Sequence, residues 1–504
     1  MWSIRQFFQE KTTALNFAYL FTTMGDRMWM FAIGVFVHKL GGMSWVAAQQ
    51  LVDAFIKLIV FIFIGKVLDK TDRNRAIQTS LAINNISVAL SASFFCACFY
   101  LKDRDNLGLL YVLSLVGAIC FASISRLASE AQRLAFTKDW IVVIVQTNQK
   151  EISLSTQNAR MTVIDQLSSV ILPISTGYMF DKLSWTQSCV IIFFYNTISW
   201  ILERHVLNYI YRVTPDLARR TVGKQEERTD DKPTSCCSYF NQTSFLAAFG
   251  LSLLFMTVLG FDNLAGSYGQ KHGMSISALG FLRSCGSLLG ILGAVSFSFL
   301  EKKVGLLNTA LLGYVLQNLF ITISAFSTTM PGSPMNISGY FGSLTTDEYL
   351  TGVYEQFTNP ENHDHAEVPF LSLPPAIIVF FLGITFARYG LWISDPAVTQ
   401  IMQETIPEAE RNSVFSIQSS LCEAFSLLKD AIVIFFWNTE LFGGLAIMSW
   451  IFVTAGHLFY VAYYLKAKCS YGTVTTNNTT PPQQVELGSV QPKEENASLL
   501  AAED

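Results

Sequence analysis

Twelve apolar stretches long enough to cross a bilayer leave this chain little choice but a bundle of membrane-spanning helices. They lie at about 13 to 38, 45 to 67, 76 to 101, 107 to 135, 153 to 180 and 184 to 211, then 243 to 268, 275 to 299, 305 to 327, 373 to 402, 411 to 438 and 441 to 466. Inside hydrocarbon no water meets the backbone N–H and C=O groups, so each stretch must satisfy its own by forming a helix. The composition agrees. Of 504 residues 51% are hydrophobic and only 14% charged, about half the charge share of a soluble protein. Forty phenylalanines and nine tryptophans would overfill a soluble core of this length, whereas a bilayer accepts apolar surface on every side of a helix. The formal net charge of −4 is spread over loops and tail, which argues against a nucleic-acid partner. The nine cysteines show no CxxC spacing, and Cys96, Cys98, Cys120, Cys189, Cys285 and Cys422 lie in apolar stretches, so neither a zinc site nor a disulfide framework is expected. The segment Met1 to Lys11 carries Arg5, Glu10 and Lys11 ahead of the first stretch and reads as the start of a retained span rather than a cleaved leader.

The stretches split six and six. Residues 1–212 form the first lobe, 213–242 a polar linker, 243–468 the second lobe with a long loop at about 328–372, and 469–504 a tail rich in Thr, Asn, Gln and Pro that is expected to be disordered. Basic residues favour one set of loops: Lys66, Lys70, Arg73 and Arg75, then Arg133, Lys138 and Lys150, the linker, Lys302 with Lys303, and Arg411. That asymmetry places both termini in the cytoplasm. The long loop then faces outside, with Asn336-Ile337-Ser338 as a glycosylation acceptor. In the tail, Glu495 with Leu499-Leu500 has the spacing of an acidic dileucine signal, and in the linker Cys236-Cys237 reads as a palmitoylation site; both patterns are short enough to arise by chance.

After the second span the chain reads Gly65-Lys66-Val67-Leu68-Asp69-Lys70-Thr71-Asp72-Arg73, which resembles the GxxxD[RK]xxR signature of the major facilitator superfamily. Gly65 permits close helix approach, while Asp69 can cap a neighbouring helix or pair with a base across an inner gate. The halves also correspond: span one carries Gly25-Asp26 and span seven Gly260-Phe261-Asp262, while span four carries Arg126 and span ten Arg388. An ionised side chain at bilayer depth costs about 2.5 to 3.5 kcal/mol on insertion scales, so such residues face a polar cavity or a partner. Asp26 and Arg27 are successive on a helix, about 100° apart, and cannot share one partner direction.

Within the first half the intramembrane polar groups are mainly oxygen donors: Asp26, Asn84, Asn85, Asn158, Asp165, Asn196 and Glu203. Asn158 and Asp165, like Asn196 and Glu203, are seven residues apart, so each pair shares a helix face with a drift of about 20°. Carboxylates and amide oxygens from several helices suit a hard or borderline divalent cation. The same acids would serve an organic-cation or proton path, and any one Asn would serve helix–helix hydrogen bonding. In the second half Asp262 lies between Gly260 and Gly266, where unwound carbonyls could join it, and Asp395, Glu423 and Asp430 are further acids. Histidine is scarce, with His363 and His365 forming an HxH in the outer loop.

Several segments are similar to the ferroportins, the iron-exporting solute carrier family, in the family's order: Gly25-Asp26-Arg27-Met28-Trp29, Asp139-Trp140-Ile141-Val142-Val143, Ile164-Asp165-Gln166-Leu167, Met256-Thr257-Val258-Leu259-Gly260-Phe261-Asp262 and Arg388-Tyr389-Gly390-Leu391-Trp392. The resemblance covers the membrane portion and not the linker, the outer loop or the tail. It implies an all-α major facilitator fold of twelve helices in two six-helix lobes, and export of iron(II), with other divalent metals, by alternating access coupled to proton counter-movement. No cofactor is required. It also implies a calcium site on Asp26, Asn84, Asn85, Asn196 and Glu203, with Asn84 where the family has Gln. Metal-transport positions fall on Asp165 and Asp262, and gate positions on Asp69, Arg73, Asp139, Asn158 and Arg411. The chain departs from the family at two second-lobe ligands, having Asn263 for a Cys and Lys429 for a His. An ammonium repels a cation, and without that Cys the hormone hepcidin is not expected as a partner. A facilitator for another metal or an organic cation, or a transport-dead sensor of the same fold, stands beside the exporter; an enzyme is not expected, because no nucleophile, base and orienting group converge.

Overall fold

The computed structural model describes residues 11–41, 43–102, 108–147, 153–218, 236–260, 265, 268–269, 272–333, 335, 348–349, 351, 368–436 and 439–477. The first half is built from α1 (Lys11–Gly41), α2 (Met43–Lys70), α3 (Arg73–Lys102), α4 (Leu109–Leu134), α5 (Ile141–Thr147), α6 (Leu154–Lys182) and α7 (Trp185–Val213). After α8 (Cys236–Phe240) the second half has α9 (Phe245–Leu253), α10 (Ile276–Val304), α11 (Leu306–Ser327), α12 (Pro375–Thr405), α13 (Arg411–Phe435) and α14 (Thr439–Asn477). Among the described residues six helices are apolar enough to cross a membrane by length and composition alone: α3, α4 with α5, α10, α11, α12 and α14. The long helices α1, α2, α6, α7 and α13 carry charged residues within them, among them Asp26, Asp53, Lys57, Asp165, Glu203 and Glu423.

Local chemistry sets the helix ends. Ser153 and Ser275 each accept a hydrogen bond from the backbone N–H three residues on, and Ser184 forms a reciprocal box with Gln187 at the start of α7. Gly305, at φ +83°, turns α10 into α11 in one residue, a conformation that a side chain would strain. Large apolar side chains such as Leu109, Ile174, Phe281 and Phe299 are exposed, as suits a surface that meets lipid rather than water.

Three elements differ from the sequence expectation. The fourth span does not stop near 135: a π-helical turn, Ala135–Trp140, carries α4 on into α5. Such a turn fits one extra residue into the helix and re-aims its side chains. Span seven is not continuous, because α9 ends at Leu253 and the chain leaves helical geometry before Gly260; the N–H of Val258 donates to Ser449 Oγ at 2.9 Å instead of continuing the ladder. The last helix runs to Asn477, beyond the expected start of the tail. Asp262, Asn263, Asn336, His363, His365, Glu495, Leu499 and Leu500 lie outside the described residues, as does 219–235 of the linker.

Within the first half α1 packs on α6 and α7, and α3 on α4 and α7; within the second, α12 packs on α10 and α11, and α14 on α9 and α11. The halves meet along two seams, α2 against α13 and α6 against α10 and α12. Lipid supplies no hydrophobic drive between helices, so close backbone approach matters. At Gly65 an added Cβ would overlap Ser416 Oγ and stand 2.6 Å from the carbonyl of Asn412, so only hydrogen fits where α2 crosses α13. Gly65→Ala is expected to weaken this seam by about 1–3 kcal/mol. Spin labels at Lys70 and Thr405 would read it as a longer, broader distance distribution; an unchanged distribution would contradict the close-approach role.

Candidate functional site

Polar links between the halves concentrate at one end of the bundle. Asp69, on the last turn of α2, accepts four hydrogen bonds from the start of α13: from Asn412 N–H (3.1 Å) and Nδ2 (2.9 Å), and from Ser413 N–H (2.7 Å) and Oγ (2.6 Å). A carboxylate of one half thus caps a helix of the other, where unpaired N–H groups and the helix dipole both favour negative charge. Arg73 grips Asp139 in a two-pronged pair, Nε and Nη2 each at 3.0 Å, and also bonds Glu408 of the second half. Arg411 approaches Asp139 at 3.9 Å. Arg73, Asp139 and Arg411 are buried, so removing any one leaves charge uncompensated. The π turn aims Asp139 at this network and presents the carbonyl of Thr137 to Gln403 Nε2 at 2.6 Å, while Asn158 Nδ2 donates to Gln403 Oε1 at 2.8 Å. All five gate residues expected from the sequence therefore lie in one assembly. Glu408, Asn412, Ser413 and Gln403 were missed because they are ordinary polar residues at helix ends and in the loop between them until the halves meet.

A second cluster lies inside the first half, where Thr22, Asp26, Asn84, Asn85, Asn196, Ser199 and Glu203 line a cavity of about 10 Å³, room for one water-sized species. Glu203 accepts from Ser199 Oγ at 2.6 Å, Thr22 Oγ1 at 2.8 Å and Gln132 Nε2 at 3.3 Å, and Asp26 accepts from Ser129. The amide nitrogens of Asn85 and Asn196 are spent on the carbonyls of Leu81 (2.7 Å) and Asn85 (2.9 Å). Their side-chain oxygens are left without a donor among the described residues. Two carboxylates and two free amide oxygens around such a space fit a hard cation. Asn84 is turned otherwise: its oxygen accepts from Ser125 at 2.9 Å and its nitrogen faces Asp26 at 3.4 Å, so it supports the wall rather than offering an oxygen.

Asp26 and Arg27 do diverge. Arg27 Nη2 reaches Asp165 at 2.6 Å, and Arg133 Nη2 takes the other oxygen of Asp165 at 3.2 Å. In this conformation a metal would have to displace a guanidinium to reach Asp165. Asp165 borders a cavity of about 300 Å³ between the halves, which is also lined by Lys57, Glu130, Arg133, Lys138, Asn158, Asp395, Cys422 and Glu423. Lys57 lies 3.5 Å from Glu130 and 3.2 Å from Glu423, and Arg126 pairs with Asp53 at 3.1 Å. Lys57, Glu130, Arg133 and Asp53 were missed; the available signal was their charge at bilayer depth and the four-residue spacing of Asp53 with Lys57 and Arg126 with Glu130. Lys429 pairs with its neighbour Asp430 at 3.0 Å. Among the described residues no three His, Cys, Asp or Glu side chains gather as a metal-binding group.

Two six-helix halves around a polar cavity sealed at one end define a membrane transporter of the major facilitator fold. FucP, a transporter of that superfamily, superposes in its outward conformation with a TM-score of 0.57 at 10% identity, over 90% of this chain and 98% of that one. A bacterial homologue of the iron transporter ferroportin in an outward-facing state superposes with a TM-score of 0.73 at 17% identity, over 90% and 99%. The family profile described as Ferroportin1 (FPN1) matches residues 9–453. Solute carrier family 40 member 1 of Danio rerio is 30% identical over 92% of this chain and 93% of its own, and ferroportin of Homo sapiens 30% over 88% and 89%. The chain belongs to the ferroportin family.

Proposed function

We propose that this protein exports iron(II), with other divalent metals as secondary cargo, by alternating access of its two halves with a proton moving the opposite way. The observation that carries this reading is the cavity between the halves, which carboxylates of both line: Glu130 and Asp165 from the first, Asp395 and Glu423 from the second. Met161, Met402 and Cys422 add soft donors that suit a borderline cation. The names of the relatives support the choice of cargo, since the human and zebrafish proteins are a ferroportin and a solute carrier family 40 member, and one bacterial structure was solved with soaked iron. The end sealed by Asp69 and Arg73 faces the cytoplasm of a plasma membrane, in line with the basic loops found there, and both termini share that side.

In the first half Asp26, Asn85, Asn196 and Glu203 hold calcium, whose charge lets two carboxylates stand together inside the bundle. Asp165, Asp262 and the gate residues serve the cargo path. Asn263 offers no thiolate, so a hepcidin-type hormone is not a ligand.

Reconstituted protein is expected to carry iron(II), kept reduced, and cobalt(II) across vesicle walls. Asp165→Ala, which leaves Arg27 and Arg133 without their carboxylate beside the path, should cut that flux by at least about tenfold. Failure of the intact protein to move either metal, with movement of an organic cation, would replace this reading with the facilitator alternative.

A further inference from the structure

Lys57 sits half-way along α2 with its ammonium between two carboxylates of different origin, Glu130 of its own half at 3.5 Å and Glu423 of α13 in the other half at 3.2 Å. Each of the three lines the central cavity. Around this bridge Arg126 holds Asp53, and Arg27 and Arg133 both hold Asp165. Within the bridge itself one ammonium serves two carboxylates, and a divalent cation in its place would match both. The side chain is long, single-charged and about one-fifth exposed, so it can swing within the cavity without unfolding anything.

We propose that Lys57 is a tethered cation, holding in the empty carrier the position between Glu130 and Glu423 that a divalent ion takes during transport. This rests on the reading of the cavity as a metal path and adds to it how the carrier returns unloaded. Two carboxylates from opposing halves repel when the halves close on an empty cavity, and a carrier with only that pair would reorient only when loaded, performing exchange. With Lys57 to neutralise them the empty form closes too, and net export follows. When the ion arrives Lys57 swings aside within the cavity, and Glu130 and Glu423 are both released to it.

The test compares net cobalt(II) efflux into metal-free buffer with exchange of labelled for unlabelled cobalt(II), in vesicles containing the full chain. Lys57→Gln is expected to keep exchange within about twofold of wild type while net efflux falls at least tenfold. Lys57→Arg should retain both modes. Equal net efflux in Lys57→Gln and wild type would overturn the inference, as would exchange and net efflux falling together, the mark of a fixed structural pair. A wild-type protein silent in both modes would instead remove the transport reading, and this inference with it.

Discussion

Asp69→Ala is expected to unseal the closed end of the molecule and raise the labelling rate of Cys422 by an impermeant maleimide, applied from that side, at least tenfold. Cys422 is a buried thiol lining the central cavity, so its access reports the seal directly. Asp69 accepts four hydrogen bonds from Asn412 and Ser413, all of them across the seam between the halves. Hydrogen bonds to a charged group contribute about 1.5–3 kcal/mol each when taken singly, and a charge at a helix start adds up to about 2 kcal/mol. They are not additive, and water entering the gap recovers part of the loss. A net change of about 3 kcal/mol remains a sound expectation, enough to move a two-state equilibrium by roughly two orders of magnitude. Asp69→Asn keeps the shape and part of the acceptor capacity and should fall between. Site-resolved mass spectrometry separates Cys422 from exposed Cys120 and Cys469. An unchanged rate would mean that Arg73, Asp139 and Glu408 hold the seal without Asp69.

Calcium binding should disappear in Glu203→Gln, with an affinity loss of at least about a hundredfold, while the intact protein binds one ion. The cavity is small enough for a single ion, and among the described residues that line it Asp26 and Glu203 bring the charge. Calcium affinity follows the number of charged ligands and the rigidity of the site. Rigidity here comes from Ser199, Thr22 and Gln132 on Glu203, and from the backbone carbonyls that fix Asn85 and Asn196. Isothermal titration of the purified protein measures the affinity, and the calcium-dependent rise in melting temperature gives a second readout that should vanish in the same variant. Asn84→Gln should move the other way, tightening binding severalfold, because a longer amide can carry its oxygen past Asp26 into the cavity. Binding indifferent to Glu203→Gln would remove calcium from this site.

The oxygen donors of the first half could be read from the sequence because their cost in a membrane makes each of them conspicuous. The seven-residue spacing of Asn196 and Glu203 already put both on one face of α7, and the structure places both at one cavity. The orientation of each side chain was another matter. Asn84 and Asn85 are neighbours of the same type, yet one turns its oxygen to Ser125 while the other spends its nitrogen on its own helix and keeps its oxygen unpaired. Only the surrounding helices distinguish them. Asp165 shows the same limit: as a carboxylate at bilayer depth it reads as a ligand, and the guanidiniums that occupy it come from two other helices, α1 and α4.

An apolar run in hydrocarbon has no alternative to satisfying its own backbone, so the order of residues is enough to make this chain a bundle of membrane helices in two halves. That order also determines where charge would be buried, since each such residue stands out against an apolar background. Which charges meet depends on how the helices pack. The cap of α13 by Asp69, the grip of Arg73 on Glu408 and the bridge from Lys57 to Glu423 join residues hundreds of positions apart. No periodicity encodes them, because they exist only in the conformation where the two halves close on one another.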